Sequence, residues 1–160
     1  MARIRIRPAT PDDIPALDRA LNALSRHLDD PHLATAHDLH DALFGARPVA
    51  RAGVAEGAAD LSGAVLFSPC FSTMRGGPGL FVSDLWVAPD ARRQRLGAAL
   101  LGHAARAAQA EWGARFLRLM VYESNTEARA FYARAGFEAA DGEIFLTLSG
   151  AAFHDLEGTG

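Results

Sequence analysis

A single cysteine, Cys70, is the whole thiol content of the chain. No intrachain disulfide can form, which fits a reducing cytoplasm. No uninterrupted apolar run is long enough to span a bilayer. The N-terminus lacks the solid apolar segment of a signal peptide; Arg3, Arg5 and Arg7 alternate with Ile4 and Ile6, a strand pattern. There is no internal repeat, low-complexity tract or linker-like stretch, so residues 1–160 read as one domain with a full core. A basic excess is also missing. The formal net charge is -3, which argues against nucleic acid as a partner and is compatible with a cationic substrate. His27, His32, His37 and His40 lie close together without the spacing of a zinc motif, so no metal is expected. Cys70 has no evident activating neighbour, which disfavours an acyl-cysteine route.

What is present is an ordinary globular balance, 49% hydrophobic and 22% charged residues. Arg3 to Arg7 is a first strand, ended by Pro8. Thr10 or Asp12 can cap the helix that follows, with Pro11 in its first turn. Ile14, Leu17, Leu21, Leu24 and Leu28 recur at helical spacing and lay one apolar stripe on a sheet. Thr35 caps a shorter helix closed by Gly45. Val49–Ala55 and Leu61–Phe71 form a hairpin of small residues. Gly76, Gly77, Pro78 and Gly79 read as a flexible hairpin tip, not a phosphate loop. A helix from about Gln94 to Trp112 is stopped by Gly113. His103 within it reads as a packing or surface residue. Phe116–Tyr122 is a further strand, and Ser124-x-x-Glu127 a capping box. A helix through Phe131 and Tyr132 ends at Gly136. Strands are expected at Phe137 and at Glu143–Leu148, then a helical turn over Ser149–Leu156. The order β-α-α-β-β-β-α-β-α-β-β predicts an α/β fold, a mixed sheet with helices on both faces.

The stretch Leu80–Leu101 organises the rest. Phe81, Val82, Leu85, Trp86 and Val87 make a near-continuous apolar run, interrupted by Ser83 and Asp84, that suits a central strand. Pro89 blocks further pairing. Arg92, Arg93, Gln94 and Arg95 then lead into an Ala/Leu-rich helix at Gly97. A helix N-terminus offers free N–H groups and a partial positive charge, and the arginines reinforce its attraction for phosphate.

Arg92-x-x-x-x-Gly97-x-Ala99 after an apolar strand resembles the acetyl-CoA-binding motif of the GCN5-related N-acetyltransferases. Arg95 stands where that pattern has its middle glycine. Asn125-x-x-Ala128-x-x-Phe131-Tyr132-x-x-x-Gly136-Phe137 resembles the family's other diagnostic segment. Asn125 and Tyr132 are two helical turns apart and point the same way. The nearest likeness is to the diamine (spermidine/spermine) acetyltransferase branch. It rests on Ile6-Arg7-Pro8-Ala9-Thr10, Leu39-x-x-Ala42-Leu43-Phe44-Gly45, Phe81–Val87 and Phe145–Gly150. Ser83-Asp84 stands where that branch has Glu-Asp.

The resemblance implies an N-acetyltransferase that moves acetyl from acetyl-CoA to the primary amine of a small polyamine-like or amino-acid-like molecule. A protein or peptide amine is the alternative, and a non-catalytic CoA-binding module a third reading. It implies cofactor contacts from Leu85, Trp86, Val87, Arg92, Arg93, Gln94, Arg95, Leu96, Gly97, Ala98 and Asn125. It also implies a strand bulge that admits pantetheine, and a homodimer as in many relatives. Asp29 and Asp30 fall in the loop that covers substrate in the family, though both read first as solvated helix-end acids, as does Glu123 at a strand end.

A lysine-like amine, with a pKa near 10.4, is protonated at neutral pH, and exposing its lone pair costs about 4–5 kcal/mol. A base, a water relay or desolvation must meet that. Asp84 is the residue expected to bind the substrate cation, with water-mediated base action open to it. Tyr132, a phenol, suits protonation of the leaving thiolate.

Overall fold

The computed structural model describes residues 4–158, which fall into two compact units joined after Tyr122. Arg3, the expected start of the first strand, lies outside the described residues. In the first unit the strands are β1 (Ile6–Pro8), β2 (Arg51–Glu56), β3 (Leu61–Ser72), β4 (Gly77–Val87) and β5 (Leu117–Leu119). The helices are α1 (Ile14–Leu28), α2 (Ala36–Phe44) and α3 (Leu96–Trp112). The second unit holds α4 (Thr126–Arg134) and α5 (Ala151–Glu157).

The sheet has the order β1-β2-β3-β4-β5, antiparallel except for the parallel β4–β5 pair. The expected mixed sheet with helices on both faces is observed. Ile14, Leu17, Ala20 and Leu21 of α1 and Leu39 and Leu43 of α2 bury one face against Ala52, Val54 and Ala64. The opposite face takes α3. A Cβ on Gly63 would meet Leu100 at 2.8 Å, and one on Gly53 would meet the His103 ring at 2.5 Å, so these strands are glycine where the helix lies closest. Trp112 closes that layer edge-on to the buried Phe67. His103 is thus a packing residue, and burial pushes its imidazole down from the ordinary value.

Arg7 joins β1 to the turn before α1. Its guanidinium donates to both oxygens of buried Asp13, at 2.6 and 2.9 Å, and to Glu56 at 2.6 Å. Asp13 also accepts from the backbone N–H of Thr10 at 2.7 Å. The Arg7 hydrogen bond is the chief reason its carboxyl falls to about 2.

Several boundaries differ from expectation. β4 begins at Gly77, so Gly77, Pro78 and Gly79 are strand and not hairpin tip; a Cβ on Gly79 would stand 2.5 Å from the Phe116 ring. The cap of α4 is Asn125, whose Oδ1 accepts from the Ala128 N–H at 3.1 Å, in place of the Ser124 capping box. No strand occurs among the described residues 137–150. The alternation of Ile144, Leu146 and Leu148 reads as a half-buried strand, but a strand needs a partner backbone. These side chains are 84%, 84% and 50% exposed, and positive φ at Gly142 and Gly150 brackets the segment.

Candidate functional site

β4 loses its regular alternation at Ser83. Leu66 pairs with Asp84 and Phe67 with Val82, which leaves Ser83 as an extra residue opposite the Leu66–Phe67 step. Residues in register share a face. Val82, opposite Phe67, and Leu85, opposite Val65, therefore both face α3, although they are three apart in sequence. Asp84 and Trp86 face α1. Ser83 Oγ donates to the Leu66 carbonyl at 3.3 Å, which holds the bulge.

The same stretch parts from β5. Parallel pairing covers only Leu80–Val82 against Leu117–Leu119. β4 runs on to Val87, still paired to β3 but, among the described residues, with no strand on its other edge. Apart from the Val87 carbonyl, the N–H and C=O groups of Ser83–Val87 on that edge are open to an extended ligand, which they would bind as a sheet binds an added strand. The bulge and the short β5 are two sides of one construction. Leu85 and Val87 thus offer backbone to a ligand; Trp86, in the same phase as Ala88, whose N–H donates to the Ser62 carbonyl, turns its backbone to β3, and its indole packs against the α1 core.

The open edge leads to the arginine loop. Pro89–Ala91 forms one 3₁₀ turn and Arg92 is extended. Arg92 Nε donates to the Val87 carbonyl at 3.3 Å, and Gln94 Nε2 to the Asp90 carbonyl at 3.1 Å. Arg93 and Arg95 both take left-handed backbone, with φ of 62° and 60°. Turns of this kind aim successive N–H groups into one concavity suited to anions. Arg95 is the N-cap of α3, and no side chain caps the helix there. The first N–H groups, at Leu96, Gly97 and Ala98, are left for a ligand. Arg95, which stands where the motif has its middle glycine, takes the left-handed backbone that glycine adopts freely. An extended ligand ending in a diphosphate fits this combination of open strand edge and uncapped, arginine-flanked helix start.

Asp84 is half-buried. Burial pushes its carboxyl up, while the neighbouring Ser83 hydroxyl and the charge of His32 pull it down. It can pair with a cation that also loses water on entry. Tyr122, just past β5, donates its hydroxyl to Asp30 in the loop between α1 and α2. Asp30 reads in the sequence as a solvated helix-end acid; the structure gives it a partner. In the second unit, burial raises the Tyr132 phenol above its ordinary value, and the ring meets Phe131 and Phe137 edge-on at 5.1 and 5.4 Å. It therefore stays protonated at neutral pH. Asn125 spends its side-chain oxygen on the α4 cap. Burial pushes the Cys70 thiol up, which lowers its thiolate fraction. Among the described residues no group of three metal-ligating side chains comes together, and no helix is long and apolar enough to cross a membrane.

A mixed sheet whose two parallel neighbours separate at a bulge, beside a basic helix start, defines a class of coenzyme A-dependent acyltransferases. The sequence profile of the acetyltransferase (GNAT) family matches residues 17–137, and the chain belongs to that family. No curated protein matches the chain. Among solved structures, an integron cassette protein from the mobile metagenome of Cole Harbour Salt Marsh is 27% identical, with a TM-score of 0.72, covering 90% of this chain and 89% of its own. An aminoglycoside acetyltransferase from an uncultured soil metagenomic sample, in complex with sisomicin, is 16% identical, with a TM-score of 0.72 and coverages of 91% and 97%. A ribosomal-protein-alanine N-acetyltransferase from Brucella melitensis biovar Abortus 2308 is 20% identical, with a TM-score of 0.70 and coverages of 92% and 100%. The last two likenesses show the fold alone. Family and fold together support an acetyl-CoA-dependent N-acetyltransferase.

Two polar residues of the first unit, Asp18 and Ser25, escaped the sequence reading, and a third, His32, reads there only as a rejected metal ligand. The signal available was the seven-residue spacing of Asp18 and Ser25, two turns apart on α1.

Proposed function

We propose that this enzyme acetylates the primary amine of a small polyamine-like or amino-acid-like molecule by direct attack on acetyl-CoA. The observation that carries the reading is the unpaired edge of Ser83–Val87, with half-buried Asp84 within it and the uncapped start of α3 at its end. Acetyl-CoA is held by its diphosphate at Arg92–Ala98 and by its pantetheine amides along Leu85 and Val87. Asp84 binds the acceptor ammonium. The amine nitrogen, once deprotonated, attacks the thioester carbonyl, and the C–S bond breaks toward sulfur. Tyr132 gives its proton to the departing thiolate, an undemanding transfer because thiols titrate near 8.5. Holding the two reactants in place supplies much of the acceleration. Asp84 and the Asp30–Tyr122 hydrogen bond favour a small cation over a peptide. We read the enzyme as a cytoplasmic homodimer.

Release of coenzyme A thiol from acetyl-CoA, measured with spermidine, a primary-amine antibiotic and an alanyl peptide, tests this. The account expects turnover with a small amine, and Tyr132→Phe to lower kcat about 10-fold or more without weakening coenzyme binding. Turnover with the peptide alone supports the peptide reading. Tight coenzyme binding with no amine acetylated leaves only a binding module.

A further inference from the structure

On the α1 side of β4 lies a polar cluster that acetyl transfer, as described above, does not use. His32, in the loop between α1 and α2, has 17% of its side chain exposed. Its Nδ1 lies 3.0 Å from Ser25 Oγ, and its Nε2 lies 3.7 Å from Asp18 Oδ1. That second separation is too long for a hydrogen bond. Both atoms facing across it are buried and have no partner. Buried polar atoms are nearly always satisfied. A small closure, or one water, satisfies both at once. A carboxylate facing Nε2 selects the tautomer with its proton there. Nδ1 is then a lone pair accepting from the Ser25 hydroxyl. Carboxylate, imidazole and hydroxyl stand in the order that lets a hydroxyl pass a proton to a ring.

The surroundings fit. From β4, Asp84 lies close enough for the His32 charge to act on its carboxyl. From the loop itself, Asp30 is taken by Tyr122, and Asp29 is exposed in left-handed backbone at the end of α1. On α1, Arg19 is turned to Asp60. Asp18 and Asp84 are thus the carboxylates left to bear on the ring.

We propose that Ser25, His32 and Asp18 form the proton-accepting relay for the acceptor amine. The inference rests on the acetyl-transfer reading. An N–H bond of the ammonium held by Asp84 breaks, and its electron pair stays on nitrogen. Ser25 Oγ takes that proton and gives its own to His32 Nδ1. Asp18 stabilises the imidazolium through Nε2–H. The freed nitrogen attacks the thioester, and the ring later returns its proton to solvent. His32 acts through Ser25 and Asp18 through His32, so both are positioning residues.

The test is the pH dependence of kcat/KM for whichever panel amine turns over. The wild type should lose activity as the pH falls, because a protonated ring cannot accept. His32→Gln, which can still hydrogen bond to Ser25, should lower kcat about 100-fold with little change in KM, and the acid limb should vanish. Asp18→Asn should move the limb to lower pH, since losing a carboxylate disfavours the charged ring. A merely structural role would move neither limb. A His32→Gln enzyme that keeps the limb and its kcat overturns the relay. If that variant does not fold, an unmoved limb in Asp18→Asn overturns it instead. Failure of the wild type on every amine overturns the acetyl-transfer reading and the relay with it, whereas turnover with an unmoved limb overturns the relay alone.

Discussion

Arg95 sets the backbone of the candidate diphosphate site against its own side chain. Its φ and ψ of 60° and 13° place it in the left-handed region. For an L-residue that conformation costs about 1–2 kcal/mol. Glycine adopts it freely but adds about 0.5–1 kcal/mol of chain entropy to the unfolded state. Arg95→Gly should therefore stabilise the protein by about 0.5–1 kcal/mol, a rise in Tm of roughly 1–4 °C for a chain of this size. Arg95→Ala is the control. It removes the same charge but keeps the Cβ, so the strain remains, and alanine is a poor N-cap. The glycine variant should exceed the alanine variant by about 0.5–1 kcal/mol in urea unfolding. Coenzyme A affinity should separate the two effects further. Both variants lose one cation from the arginine loop, and both should bind more weakly at low salt, with the deficit shrinking as salt screens it. Two variants of equal stability would refute the strain argument. A glycine variant less stable than the wild type would refute it more strongly.

Other perturbations follow from the same structure. The folded-state pKa of Asp13, about 2, lies below its ordinary 3.8. Its ionisation therefore contributes about 2 kcal/mol that is fully present above pH 4 and lost as the pH falls toward 2. Acid unfolding of Arg7→Met should lack that component, and its stability at neutral pH should fall by about 3 kcal/mol, because buried Asp13 loses its partner. Gly79→Val sets a branched side chain where a Cβ already meets the Phe116 ring at 2.5 Å; a loss of about 1–3 kcal/mol is expected by thermal melting. Phe67→Ala empties a fully buried position against Trp112 and should cost about 3–5 kcal/mol, measured the same way.

The elements with a strong local signal were legible in the sequence. The stripe Ile14, Leu17, Leu21 became the buried face of α1, and Thr35 does cap α2, with its hydroxyl accepting from the Asp38 N–H. Gly45 and Gly113 end α2 and α3. The strand-turn-helix over Leu80–Leu101 could be read because apolar run, proline and helix formers follow one another without ambiguity. The bulge could be named only through family likeness, since it depends on the register of β3, which no local pattern encodes. Ile144, Leu146 and Leu148 misled, because period-two alternation reports a preference and not the presence of a partner strand. The grouping of Ser25, His32 and Asp18 needed the path of the loop after Leu28, which returns His32 to the helix it has just left. Asn125 also serves as the cap of α4, a role that the adjacent Ser124 hid.

Amide hydrogen exchange with and without coenzyme A addresses the diphosphate and pantetheine site most directly. Docking along the open strand edge and at the uncapped helix start should slow exchange at Ser83–Val87 and at Leu96–Ala98, with little change across β2. Saturating coenzyme that leaves both segments exchanging as in the free protein would contradict the site.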